Sequence, residues 1–231
     1  MDAIVMAAGE GSRLRPLTER WPKPVLPIDG RPVIATLLRE LAAAECTRAF
    51  VVTGHLAEQV EELVGDGSGF GLEIVTTRQP SVLGSADVVQ RGIAAGAKPP
   101  FLVSAADTVF VTGDVAHFTA AARGAPAAVA YRREPAPDPP HRFALAVEGG
   151  RVRRVLDDDP ANPFSGAPLW LLDYAVLPFL EGLTGPPFEL AQALQRAIDS
   201  GVEVAGVEIG PTRDLTHPVD LVQENFHYLG S

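Results

Sequence analysis

The chain has 231 residues, which is enough for one sizeable core, so a single domain is the default expectation. Hydrophobic residues make up 46 % and charged residues 21 %, which is ordinary globular usage, and the formal net charge is −10. That acidity speaks against a general nucleic-acid or membrane-surface binder, because both functions favour basic faces. A small anionic ligand answers to local charge instead, and local charge is uneven. Arg13, Arg15, Arg20, Lys23, Arg31, Arg39 and Arg48 crowd the first 48 residues, and Lys23 is one of only two lysines.

The elements follow one another in a regular order. "AIVMA" is a short continuous apolar run, which predicts a buried strand. It leads straight into "GEGSRLRPLTERWPKPVLPI", a stretch of glycines, cations and prolines. Asp29-Gly30 marks a two-residue turn. Ile34, Leu37, Leu38 and Leu41 recur at helical spacing, with Pro32 suited to a first turn. "RAFVVTG" predicts a second strand, "LAEQVEELV" a helix, "LEIVTT" a third strand and 85–96 a helix. "PFLVSA" predicts a fourth strand that delivers Asp107 at its carboxyl end.

Strand–helix alternation of this kind predicts a parallel sheet covered on both faces. Ligands of such sheets bind at the carboxyl ends of the strands. The glycine-cation stretch and Asp107 both lie at such ends, so they are expected to meet in space.

The texture changes after Asp107. A short helix ("VAHFTAAARG") and a strand ("PAAVAYRRE") are followed by the proline-rich loop "EPAPDPPH". Gly149-Gly150 predicts a hairpin turn. "PLWLLDYAVLPFLEGL" predicts a strand running into a helix. An amphipathic helix stopped by Gly201, a strand over "VEVAGVEI" and a closing helix capped by Thr216 complete the chain.

The chemistry concentrates in the opening stretch. A glycine-rich turn exposes backbone N–H groups that phosphate oxygens can approach. Arg13 adds a planar fork and Lys23 a point charge, and the prolines restrict the loop that carries them. The P-loop and dinucleotide fingerprints both fit badly: Lys23 lacks the P-loop glycine, and Leu14 stands where a third glycine belongs. Cys46 is alone, so no disulfide framework and no thiolate metal site can form within one chain, and a packing role is expected. Trp170 is expected in the core. His55, His117, His141, His217 and His227 show no metal-ligand spacing and are expected to be ordinary surface or half-buried residues.

The longer string is more specific. "AAGEGSRLRPLTERWPKPVLPI" resembles the signature of the sugar-1-phosphate nucleotidyltransferases, Gly-x-Gly-x-Arg-Leu-x-Pro-Leu-Thr, then Pro-Lys-Pro and Leu-Pro-Ile. "RQPSVLGSADVVQRGI" resembles the family's base-holding segment. "FLVSAADTVF" resembles its first metal-aspartate strand, and "RDLTHPVDLVQENFHYL" its closing segment with a second aspartate. The resemblance implies a three-layer, Rossmann-like α/β fold with a mixed, mainly parallel sheet. It also implies one catalytic domain over 1–231, with a nucleotide-binding half (1–112) and an acceptor-binding half (113–231), and no C-terminal β-helix.

The implied activity transfers a nucleoside monophosphate from an NTP to a sugar 1-phosphate, releasing pyrophosphate, with dTTP or UTP favoured by Gln79-Pro80 and Gly84. Arg13, Lys23 and Asp107 are the implied catalytic residues. Ala7, Ala8, Gly9, Gly11, Gln79 and Gly84 are the implied nucleotide contacts, and Asp107 and Asp214 the implied Mg²⁺ ligands. The implied partners are the NTP and a phosphorylated acceptor, with no nucleic acid and no membrane; a homo-oligomer is left open. With no basic leader and no long apolar run, a cytoplasmic protein is expected.

The resemblance fails at one place. The family's Glu-Lys-Pro, whose lysine grips the sugar phosphate, corresponds here to Asp158-Asp159-Pro160, where a negative group is expected to repel a phosphate. This departure keeps two alternatives open: a cytidylyltransferase acting on a phosphorylated alcohol such as phosphocholine, and a nucleotide-sugar sensor with weak catalysis.

Overall fold

The computed structural model describes residues 1–136 and 143–226. The strands are β1 (Asp2–Ala7), β2 (Pro27–Ile28), β3 (Arg31–Pro32), β4 (Arg48–Thr53), β5 (Glu73–Arg78), β6 (Phe101–Ala105), β7 (Thr108–Val109), β8 (Ala127–Arg132), β9 (Leu145–Glu148), β10 (Arg151–Val155), β11 (Ser165–Leu172), β12 (Val204–Glu208) and β13 (Arg213–Asp214). The α-helices are α1 (Val33–Ala43), α2 (Ala57–Val64), α3 (Ser85–Ala94), α4 (Asp114–Ala121), α5 (Leu190–Asp199) and α6 (Pro218–Gln223).

One nine-stranded sheet runs through both halves of the chain, in the order β5-β4-β1-β6-β11-β8-β12-β10-β9. β5, β4, β1 and β6 are parallel to one another. β11 runs against both its neighbours, β12 is parallel to β8, and the β9–β10 hairpin closes the far edge. The β5-β4-β1-β6 part of the sheet is therefore parallel, as the alternation predicts, and the sheet as a whole is mixed, as the resemblance implies.

The apolar spacing of the helices decides which face each one covers. Ile34, Leu37, Leu38 and Leu41 of α1 pack on one face of the sheet with Val60 of α2 and Phe118 of α4. Val88 and Val89 of α3 and Leu190 and Leu194 of α5 pack on the other. Gly92 lets α3 approach closely, since a Cβ there would lie 2.7 Å from the Ile4 side chain. Cys46 and Trp170 are both buried in this core. Gly149 and Gly150 both take positive φ at the hairpin turn, the backbone that a two-residue connection demands.

Three expectations need correction. The segment after β11 forms one turn of 3-10 helix (Leu177–Leu180) and no α-helix, because Pro178 and Gly182 interrupt it. β11 begins at Ser165, ahead of the predicted start, and its pairing with β8 is irregular between Gly166 and Trp170. The N-cap of α6 is His217 and not Thr216. Pro218 fits the first helical position, and the Asp220 carboxylate accepts the amides of Thr216 and His217, both at 2.7 Å. Part of the proline-rich loop, His141, His227 and the end of the predicted closing helix lie outside the described residues.

The residues just after α6 tie back to the β2–β3 turn. Asn225 donates to the Pro27 carbonyl and accepts from the Gly30 amide, each at 2.8 Å. Among the described residues, no helix is long and apolar enough to cross a membrane.

Candidate active site

The glycine-cation stretch folds as three short 3-10 turns over the carboxyl end of β1. Gly11 has φ 60°, a region that disfavours side chains, and a Cβ there would meet Thr18 at 3.0 Å. The Thr18 hydroxyl donates to the Gly11 carbonyl at 2.9 Å. Gly9 has open space where a Cβ would stand, so its backbone is accessible.

Leu14 anchors the loop from below. It is 1 % exposed and packs with Leu26, Ile28, Val33, Val109 and Leu215. Two of those partners adjoin the aspartates, because Val109 lies in β7 and Leu215 follows Asp214. Side chains pin the loop from outside as well. A ring nitrogen of His55 lies 2.5 Å from the Thr18 carbonyl, and Gln59 donates to the Arg20 carbonyl at 2.8 Å. His55 therefore serves the loop, a role its sequence context did not signal.

Lys23 is 9 % exposed, and its ammonium lies 2.7 Å from Asp107 and 3.6 Å from Asp214. The β7–β13 ribbon accounts for the convergence of the two acids, since Asp214 pairs with Thr108, the residue after Asp107. The Thr216 hydroxyl faces Asp214 at 3.3 Å. Among the described residues, no cluster of three or more His, Cys, Asp or Glu forms a metal cage. Two carboxylates on one edge, with space beside them, suit a hard divalent ion whose shell is completed by phosphate oxygens and water.

A cavity of roughly 360 Å³ opens beside this pair. Ala7, Ala8, Gly9, Gly11, Arg13, Lys23, Gln79, Gly84 and Asp107 all line it; Asp214 is brought in only through Lys23. The Arg13 guanidinium makes no hydrogen bond or ion pair among the described residues, whereas Arg15 pairs with Glu10 on the surface at 3.4 Å. Gly54 allows the approach of Ala8, whose carbonyl would lie 2.7 Å from a Cβ at that position.

The opposite wall holds Gln79, which is 4 % exposed. Its amide nitrogen donates to Asp87 at 2.7 Å and to the Gly84 carbonyl at 3.3 Å. Gly84 has φ 100°, and a Cβ there would strike the Phe188 backbone at 2.4 Å. This glycine joins α3 to the segment leading into α5: Ala86 donates to the Phe188 carbonyl, and Ser85 bonds Glu189 and Leu190.

The acidic triplet closes its own loop. The Asp157 carboxylate is buried and accepts from Asn162 at 2.7 Å. Asp158 is exposed and pairs with Arg154 at 3.3 Å, and Asp159 accepts from the Ala161 amide at 2.9 Å. A different cation stands at the carboxyl end of β8. The Arg132 guanidinium donates to Thr212 at 2.5 Å and to Ser165 at 3.1 Å, and pairs with Glu134 at 3.0 Å. Thr212 precedes Asp214 by two residues, a span of at most about 7 Å of extended chain.

The chain is similar to known nucleotidyltransferases. The chain is 32 % identical over 181 residues to the N-acetylmuramate alpha-1-phosphate uridylyltransferase of Neisseria meningitidis serogroup B, covering 74 % of this chain and 75 % of that one. It is 30 % identical over 234 residues to a glucose-1-phosphate thymidylyltransferase of Streptomyces griseus, covering 97 % of this chain. It spans only 65 % of that relative's length. The structure superposes on the inositol-1-phosphate CTP transferase of T. maritima with a TM-score of 0.81 at 20 % identity, covering 95 % of this chain and 90 % of that one. At that identity the match speaks for the fold alone. Residues 3–203 match the MobA-like NTP transferase domain, and with the fold and the cavity already described, the chain belongs to that family.

Proposed function

We propose that this protein transfers a nucleoside monophosphate from an NTP, dTTP or UTP by preference, to a sugar 1-phosphate. The observation that carries the reading is one cavity edge shared by an arginine with no ion pair among the described residues, an exposed glycine backbone and the Lys23–Asp107 pair, with Asp214 reaching the same lysine. In this reading an oxygen of the acceptor phosphate attacks the α-phosphorus, and the bond from that phosphorus to the β-phosphate oxygen breaks. Pyrophosphate leaves and a nucleotide sugar remains.

Both reactants are anions, so positioning and charge neutralisation carry the rate. Gly9 and Gly11 present backbone to the triphosphate. Arg13 holds the β- and γ-phosphates and steadies the departing pyrophosphate. Lys23 neutralises charge at the α-phosphate, and its burial strengthens that interaction. Asp107 and Asp214 would hold Mg²⁺, which supplies Lewis-acid neutralisation of phosphate oxygens. The half 1–112 takes the nucleotide and the half 113–231 the acceptor, with Arg132 as the acceptor-side cation in place of the missing lysine.

The test is pyrophosphate release across a matrix of NTPs and sugar 1-phosphates with Mg²⁺. Release that depends on one sugar 1-phosphate supports the reading. Folded protein that stays silent across the whole matrix contradicts it.

A further inference from the structure

We infer that Asp87, which lines no part of the cavity, sets the choice of nucleobase by fixing which way the Gln79 amide faces. The inference rests on the nucleotide-binding reading of the same cavity. A glutamine amide can present either a carbonyl or an NH₂ group to a ligand, and a free one turns to suit whatever binds. Gln79 is not free. Its Nε2 meets two groups that can only accept, the Gly84 carbonyl at 3.3 Å and the Asp87 carboxylate at 2.7 Å. Both amide hydrogens are thereby used, and the reverse orientation would set Oε1 against two other oxygens.

The carboxylate that enforces this is itself held. Arg91, one turn on in α3, donates through Nε to Asp87 at 2.6 Å and through Nη2 at 3.4 Å. A further guanidinium nitrogen of Arg91 donates to the Arg78 carbonyl at 3.1 Å, which ties the pair to the end of β5. Asp87 also sits in the first turn of α3, where the helix dipole favours a negative charge.

What remains for a ligand is Oε1. No donor reaches it among the described residues, and Gln79 lines the cavity. A wall offering only an acceptor fits a base edge that carries a ring N–H. Uracil and thymine present N3–H there. Cytosine presents a lone pair at the same atom, so it would set acceptor against acceptor. A buried polar group left facing the wrong partner is how sites reject near-isosteres. Asp87 is thus a positioning residue, one bond removed from the base.

UTP and CTP have nearly the same shape, so their comparison isolates the hydrogen-bond pattern. Isothermal titration of each Mg–nucleotide, without acceptor, measures it on wild-type protein, Asp87→Ala and Asp87→Asn. Wild type is expected to prefer UTP by at least about tenfold. Asp87→Ala is expected to bring the two affinities within about threefold, while the affinity for Mg–pyrophosphate stays within about twofold. Asp87→Asn keeps one accepting oxygen and is expected to fall between them.

A purely structural Asp87 would lower the melting temperature and leave the UTP-to-CTP ratio alone, and an unchanged ratio in folded Asp87→Ala overturns the inference. Wild type binding UTP and CTP equally overturns it too, with the nucleotide site intact. Wild type binding no nucleotide at all overturns the cavity reading and the inference together.

Discussion

The ammonium of Lys23 lies 2.7 Å from a carboxylate oxygen of Asp107, although 84 residues separate the two in sequence. Lys23 is buried and Asp107 is about one-third exposed, so the pair has a protein side and an open side. The open side is the cavity. In the proposed reaction this pair sits where the negative charge of two phosphates must be cancelled. Asp107→Asn and Lys23→Ala should each lower the turnover rate by about 10²–10³-fold. Far-ultraviolet circular dichroism should stay unchanged for Asp107→Asn. Normal turnover in that variant would place the chemistry elsewhere.

Leu14 links folding to the site. It is fully buried between the loop and both aspartate-bearing segments. Leu14→Ala should cost about 2–5 kcal/mol in urea unfolding, the usual range for a deleted core leucine. It should also loosen Arg13 and weaken triphosphate binding. A stability loss with unchanged nucleotide affinity would show that the anchor serves the fold alone.

Arg132 gives a prediction specific to the acceptor. Arg132→Gln should raise the KM for the sugar 1-phosphate by about tenfold or more and leave the KM for the NTP within about twofold. Initial-rate kinetics with each substrate varied in turn would separate the two. Equal effects on both substrates would remove Arg132 from the acceptor side.

Glu61 should make stability depend on pH. Bidentate bonding from Arg78 holds its carboxyl below its ordinary value, with burial opposing and the Thr53 hydroxyl assisting. A lowered folded value means the stabilisation is present above the ordinary value of 4.5 and is lost as pH falls through the folded one. Glu61→Gln should therefore cost about 0.5–1 kcal/mol near pH 7, and the difference should shrink at pH 4 and below. Denaturant melts at several pH values would show it.

Cys46 should report unfolding. Burial pushes its thiol up to about 11, so the group stays protonated at pH 8. A thiol reagent at pH 8 should label the folded protein about two orders of magnitude more slowly than the denatured chain. Fast labelling of folded protein would contradict the burial of this residue.

Residues 1–112 were largely legible in the sequence because their signals are local. Apolar runs, Asp29-Gly30 and the spacing of Leu37, Leu38 and Leu41 each act within a few residues. The meeting of the Arg13–Lys23 stretch with Asp107 followed from one topological rule, that parallel strands end on the same edge, whereas Gln79 was implied only by the family resemblance. Residues beyond 112 were harder. Asp158 and Asp159 looked like a charge reversal in a phosphate site, yet they pair with Arg154 and the Ala161 amide. Partners such as Asn162 for Asp157, Thr212 for Arg132 and Asp87 for Gln79 depend on strand register and side-chain direction, which no spacing in the chain encodes.

The proposed transfer is tested most directly by ³¹P nuclear magnetic resonance of a single reaction mixture, holding protein, Mg²⁺, UTP and a sugar 1-phosphate. The paired signals of a diphosphate diester and the signal of pyrophosphate should rise together in equal amounts as UTP and the sugar 1-phosphate fall. UTP hydrolysed to UMP while the sugar 1-phosphate persists, or no change across the panel of acceptors and NTPs with folded protein, would contradict it.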